Sequence, residues 1–423
     1  MDKKSFQLAI LGGEPVRTRQ WPQWPRVTNE VQKELLGALN SGRWAISGSC
    51  TGKVCYERQF SKAFAEFMRV DYCTPTTSGT NALLLALLAL GVGPGNEVLV
   101  PGLTWVACAS VVTFLGATPI LIDVDLQSLT MSLPQAKQAI TERTKAIMLV
   151  HLFGSVGDLD GFISLSKEKN IPIIEDCAQA HGAEWKRKPV GTWGAIGCFS
   201  MQQSKLLTSG EGGAVITNDP KLAYLIEQLR SDGRIFSQQP QIGKLELIEV
   251  GDVQGHNMCL SEFQSAVLLG GLKALNDDNK TRMKRAEILS TLLREVGVAP
   301  LRLSDNITFP TYYNYAFKCD LREFNNNSID SIARALSMEL STNVNTIYKP
   351  LNKHPLYVPS TLNLKNFSLP NADEARETYL TLHHSILLED EESMHDIAAA
   401  IEKVKEKSST LLNTMQEASN IAF

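Results

Sequence analysis

From about residue 76 the chain alternates short apolar runs with stretches of helical character, and that pattern limits the fold more than any other feature. Glu97–Val100, Ile120–Ile122, Lys145–Val150, Ile171–Ile174, Ala195–Phe199 and Ala214–Thr217 each have strand length. Almost continuous hydrophobicity in so short a run means burial on both faces, and intervening helices supply the cover. The reading is an α/β fold whose sheet lies between helices. After about residue 275 the character changes. A charged amphipathic helix over Lys280–Val296, a strand-like Tyr312–Cys319, a helix over Ser328–Glu339 and a last helix over Asp390–Lys407 predict a smaller α+β unit. The division expected is residues 1–275 for an N-terminal arm and large domain, and 276–423 for the small one. The arm, Gly12–Arg26, carries Pro15, Trp21-Pro22 and Trp24-Pro25. It reads as extended chain ahead of a first helix at Asn29–Asn40, or as a strap over the large domain.

Composition removes several functions. With 423 residues, 43% hydrophobic and 20% charged, the chain is globular rather than disordered. A net charge of −4 without a basic stripe argues against nucleic acid as a partner. Val98–Ile122 is uncharged and long enough to span a bilayer. Pro101-Gly102 and Gly116–Pro119 interrupt it, so it reads as strand, helix, strand, and no membrane is expected. The run Phe6–Ile10 is too short and broken for a secretory leader. The eight cysteines form no CxxC pair and read as reduced core residues of a cytoplasmic protein. His256, His354, His383, His384 and His395 show no ligand spacing with them, so no metal is expected.

Four pieces fall at strand ends or helix starts, where open α/β sheets collect ligands. Thr77-Ser78-Gly79-Thr80-Asn81 opens a helix, whose free N–H groups and dipole suit a phosphate; taken alone it reads first as a plain cap, since Ser and Thr are common there. Asp176 follows a buried strand and can hold a cationic partner such as a pyridinium, or cap the next helix. Lys205 sits in a glycine-rich connection beside Leu206-Leu207, and an apolar setting favours a neutral, nucleophilic amine. Trp105 can stack on a flat ring, or simply fill the core. Phosphate cradle, aromatic plate, aspartate and lysine in that order are what pyridoxal phosphate needs.

These words resemble the DegT/DnrJ/EryC1/StrS family of pyridoxal-phosphate aminotransferases of fold type I. Thr77–Leu83, Pro101–Trp105, His151–Gly154, Glu175–Gly182, Phe199-Ser200 and Lys205–Gly213 carry the likeness across nearly the whole chain. The resemblance implies a large domain with a mixed, mostly parallel seven-stranded sheet. It implies Lys205 as the Schiff-base lysine, Asp176 at the pyridine nitrogen, Gln179 near the ring hydroxyl and Trp105 on the ring face. Gly79, Thr80 and Ser200 are implied for the phosphate. Asn257 is implied to reach the phosphate of a neighbouring subunit, hence a homodimer with shared sites. Arg43–Gly48, Phe199–Lys205, Asn257–Ser265 and His383–Leu388 resemble the inositol-type branch. Its members move the amino group of L-glutamine to 2-deoxy-scyllo-inosose or scyllo-inosose in aminocyclitol antibiotic pathways. Nucleotide-sugar members usually carry arginine where this chain has Cys259, and histidine-proline-like residues where it has Gln202-Gln203. The lost cation weakens the alternative, a nucleotide-linked keto-sugar acceptor. A cyclitol, dense in hydroxyls, calls for polar side chains, and His151, Gln202 and Gln203 are the candidates.

Overall fold

The computed structural model describes residues 7–357 and 367–411. Residues 1–6, which include the first residue of the run Phe6–Ile10, and 358–366 lie outside the described residues.

In chain order the first unit contains α1 (Asn29–Ser41), α2 (Tyr56–Met68), β1 (Tyr72–Thr76), α3 (Gly79–Ala89), β2 (Glu97–Pro101), α4 (Ala107–Phe114) and β3 (Thr118–Ile122). It continues with α5 (Leu133–Ala139), β4 (Thr144–Val150), α6 (Leu159–Lys169), β5 (Ile173–Asp176), β6 (Ile196–Ser200), β7 (Gly213–Thr217) and α7 (Pro220–Leu229). The seven strands form one sheet in the order β1-β7-β6-β5-β4-β2-β3. β7 runs antiparallel to both its neighbours, and the other pairs are parallel. This is the α/β sheet expected.

Alternation along each strand divides the core in two. In β4, Ala146, Met148 and Val150 pack on one face with Leu83 and Leu87 of α3. Ile147 and Leu149 pack on the other with Phe60 and Phe64 of α2 and Phe162 of α6. A two-residue side-chain period makes every inward choice of one face an outward choice of the other, so both faces must be apolar. Each large side chain fully buried here contributes about 1.5–3 kcal/mol. The uncharged stretch 98–122 is β2, α4 and β3, and no helix among the described residues is long and apolar enough to cross a membrane.

A single 34-residue helix, α8 (Glu262–Glu295), crosses the expected boundary at 275/276. Leu268 and Leu275 join the core of the large sheet, while Leu289 and Leu293 join the next core. That core lies between α8, α9 (Ile329–Leu340) and α11 (Glu391–Glu406), which follows α10 (Pro370–Thr378), and a four-stranded antiparallel sheet. Its strands, in spatial order, are Ala299–Pro300, Asn314–Lys318, Tyr379–His383 and Val344–Thr346.

The N-terminal arm corrects one expectation. It straps the small unit, not the large one. Arg17 is buried and bonds Ser393 Oγ and Asp396 Oδ2 of α11. Trp21 Nε1 donates to the Leu340 carbonyl, and Glu339 accepts from the amides of Ala9 and Val16. At Trp24 the arm reaches the large unit, where Nε1 donates to the Gln203 carbonyl.

Candidate active site

The carboxyl ends of the parallel strands, with the start of α3, open onto a cavity of about 480 Å³. Its walls include Gly79, Thr80, Trp105, Asp176, Gln179, Ser200, Gln202 and Lys205, so the fold gathers eight sequence-predicted residues in one place.

At one end, Ser78 caps α3 by accepting from the Asn81 amide at 3.1 Å. The amides of Gly79 and Thr80, just before it, have no intrahelical acceptor, the usual state of a helix's first turn. The turn is pressed against the sheet. A side-chain carbon on Gly79 would lie 2.5 Å from Ser200 Cβ, and one on Gly213 would lie 2.4 Å from the Ser78 carbonyl oxygen. Glycine at both positions lets the helix start sit directly on β6 and β7, with the Ser200 hydroxyl beside it.

On the floor, Asp176 ends β5 and is buried. Its Oδ1 accepts from the Ala178 amide at 3.0 Å and its Oδ2 from the Cys108 thiol at 3.1 Å. Gln179 is oriented by two bonds: Oε1 accepts from the Phe153 amide, and Nε2 donates to the Tyr348 hydroxyl at 3.2 Å. Burial, the neighbouring Tyr313 and the charge of Asp176 hold the Tyr348 phenol in its protonated form, well above the ordinary tyrosine range. Trp105 is 47% exposed, with Tyr348 at 5.9 Å and His354 at 6.0 Å between ring centroids. It is a cavity wall, not a core tryptophan.

Lys205 lies in the connection between β6 and β7, its Nζ 3.9 Å above the ring of Tyr313. The preceding residues are clamped from several sides. The Ser204 carbonyl accepts from Nε2 of His383 and of His384, at 3.1 and 3.0 Å. Ser204 Oγ bonds Gln202 Oε1 and the Tyr313 hydroxyl.

Three predicted residues lie away from the cavity. His151 is buried beneath it: Nδ1 accepts from the Gly157 amide, leaving Nε2–H to donate to Glu175 Oε2 at 3.1 Å. With both nitrogens used in the core, it cannot touch a substrate, and that expectation is corrected. Gln203 is exposed, and its backbone carbonyl serves Trp24. Asn257 is also exposed, with Oδ1 accepting from the Cys259 amide at 3.3 Å. His151, Glu175 and Cys177 offer ligand-type atoms within 4.8 Å of one another. Glu175, however, already accepts from the amides of Gly191, Trp193 and Gly194 as well as from His151, so the cluster is a structural hub.

Sequence reasoning missed Tyr313 and Tyr348, which line the cavity from the small unit. It also missed the thiol of Cys108, read only as core. A donor three residues beyond Trp105 on the same helix start was the one available signal.

The family model for DegT/DnrJ/EryC1/StrS aminotransferases matches residues 25–402. An L-glutamine:2-deoxy-scyllo-inosose aminotransferase of Micromonospora echinospora is 46% identical over 408 residues, covering 94% of this chain and 97% of that protein. An L-glutamine:scyllo-inosose aminotransferase of Streptomyces griseus is 41% identical over 411 residues, with the same coverage. Among solved structures, 3-amino-5-hydroxybenzoic acid synthase superposes with a TM-score of 0.81 at 28% identity, covering 92% of this chain and all of that one. The cavity is therefore set in a fold type I transferase scaffold, and the chain belongs to the DegT/DnrJ/EryC1/StrS aminotransferase family.

Proposed function

We propose that the protein transfers the amino group of L-glutamine to a keto-cyclitol, 2-deoxy-scyllo-inosose or scyllo-inosose, with pyridoxal phosphate as its cofactor, in an aminocyclitol pathway. One observation carries the reading: Lys205, a buried aspartate and a glycine-tight helix start share one cavity. Relatives at 41–46% identity named for these two cyclitol ketones support the acceptor.

The residues fit the cofactor. The close seat of Gly79 on Ser200 leaves room for a phosphate over the start of α3, held by Thr80, Ser200 and the helix amides. Asp176 would face the ring nitrogen, Gln179 the ring hydroxyl and Trp105 the ring face. Bound pyridoxal phosphate supplies an aldehyde carbon that carries the amino group and a ring that takes up the electron pair released at the substrate carbon.

The chain's own part is binding and proton transfer. Asp176, oriented by its two donors, would face the ring nitrogen and favour its protonated form. Lys205, whose side chain lines the cavity, would be the base for the Cα proton of L-glutamine. With a ketone in the cavity, the same Nζ would return a proton to the acceptor carbon. Gln202, Ser204, Glu211 and the Tyr313 hydroxyl give the walls the polar groups that a ring dense in hydroxyls requires.

The working form is a homodimer in the cytoplasm. Leu36, Leu39, Trp44, Ile242 and Leu245 are each about half exposed or more, an unusual display of large apolar side chains that a second copy would cover. Asn257, exposed in one chain, is then available to the neighbouring site. Replacing Lys205 with alanine abolishes turnover and the cofactor's lysine-linked absorbance, while leaving the fold intact. Turnover by that variant would overturn the proposal.

A further inference from the structure

We propose that Cys108 is a positioning residue for Asp176: its thiol on Oδ2 and the Ala178 amide on Oδ1 hold the carboxylate plane in the orientation that meets the cofactor ring. The inference rests on the pyridoxal-phosphate reading above and adds a residue to it.

Cys108 lies in α4 and is fully buried. It does not line the cavity, so it is neither a nucleophile nor a substrate contact. Its sulfur is 3.1 Å from Asp176 Oδ2 and 3.4 Å from Thr104 Oγ1. Two other buried cysteines near this strand end have different partners: Cys198 faces the Ala82 carbonyl and Cys177 the Glu175 carbonyl. Among these three, only Cys108 touches the carboxylate. Burial, reinforced by the charge of Asp176, pushes the Cys108 thiol well above its ordinary range, so the proton stays on sulfur and the thiol donates. Each carboxylate oxygen has two acceptor positions. One on each oxygen is filled from the protein, and the others remain for the ring. Without the thiol only Oδ1 is pinned, and the group can turn about its Cβ–Cγ bond. The segment 104–108 thus supplies both Trp105 for the ring face and the thiol that orients the aspartate.

The test opposes donation to packing. Cys108→Ser keeps a donor but shrinks the side chain, whereas Cys108→Val fills the space without a donor. The dissociation constant for pyridoxal phosphate and the position of the visible band are read alongside the L-glutamine half-reaction. Valine is expected to weaken cofactor retention and slow the half-reaction by about tenfold, and to move the band. Serine is expected to remain within about threefold of the native protein. Serine failing while valine succeeds, or both behaving alike, would overturn the assignment. A native protein that takes up no pyridoxal phosphate would instead refute the underlying reading. The hydrogen bond itself is testable in the unloaded protein, independently of the cysteine variants. Asp176→Asn should shift one S–H stretching band in the infrared, and unchanged S–H bands would also overturn the proposal.

Discussion

Two histidines beneath the lysine segment should make the protein acid-labile by a calculable amount. His181 is fully buried, edge-on to Phe199 with ring centroids 5.4 Å apart. Burial first, and the charge of Lys205 second, push its pKa down to about 3. His384 is also fully buried, and burial with the nearby Arg282 holds it well below the ordinary histidine range. In the unfolded chain both titrate near 6.5. Below that pH the unfolded state takes up protons that the folded state refuses, so stability falls as pH falls from about 6.5 towards 3, and is level above about 7. Moving from pH 7.5 to 5.0 then removes about 2 kcal/mol through His181, and His384 acts in the same direction. His181→Phe keeps the ring shape and deletes one titration. Urea unfolding of both proteins at the two pH values reads the effect. The loss of stability between pH 7.5 and 5.0 should be about 2 kcal/mol smaller in the variant. An equal loss in the two proteins would refute the reasoning, because His181 would then not be held neutral by the fold.

Other substitutions probe the scaffold of the site. Gly79→Ala places a carbon 2.5 Å from Ser200 Cβ, so titration with pyridoxal phosphate should show affinity down by about tenfold or more. Glu175→Gln puts an amide where a carboxylate accepts from three backbone N–H groups and His151. Chemical denaturation should show about 3 kcal/mol lost. In Gly270→Ala the new carbon would meet Val31 Cα at 2.7 Å, and calorimetry should show destabilisation of about 1–3 kcal/mol as α1 is forced off α8.

The elements that could be read from sequence are those whose surroundings are uniform. β2 and β4 are buried on both faces, so their apolar runs announce them. The helix ending at Ala89 is legible because Gly91 takes a positive φ of 68° just beyond it. The first half of α8 was not legible. Gly270-Gly271 breaks the helical pattern, yet the structure needs glycine at 270 because α1 packs against it. Two-residue strands such as Glu184–Trp185 and Lys188–Pro189 are too short to carry a period. Within the site, Gly79, Trp105 and Asp176 sit at or beside strand or helix termini, and Lys205 lies in the connection between β6 and β7, all in a single unit where position along the chain predicts location. Tyr313 and Tyr348 come from the other unit, and nothing in the neighbouring sequence says which cavity they reach. His151 shows the opposite error: a polar residue at a strand end whose two ring nitrogens are both bonded within the core, to Glu175 and the Gly157 amide.

The most direct test of the central proposal takes the two half-reactions separately. Protein loaded with pyridoxal phosphate is converted with L-glutamine, freed of excess donor, and mixed with 2-deoxy-scyllo-inosose while the visible band is followed. The band should disappear with L-glutamine and return with the cyclitol ketone. A band that disappears but never returns with either inosose, and does return with a nucleotide-linked keto-sugar, would contradict the cyclitol assignment.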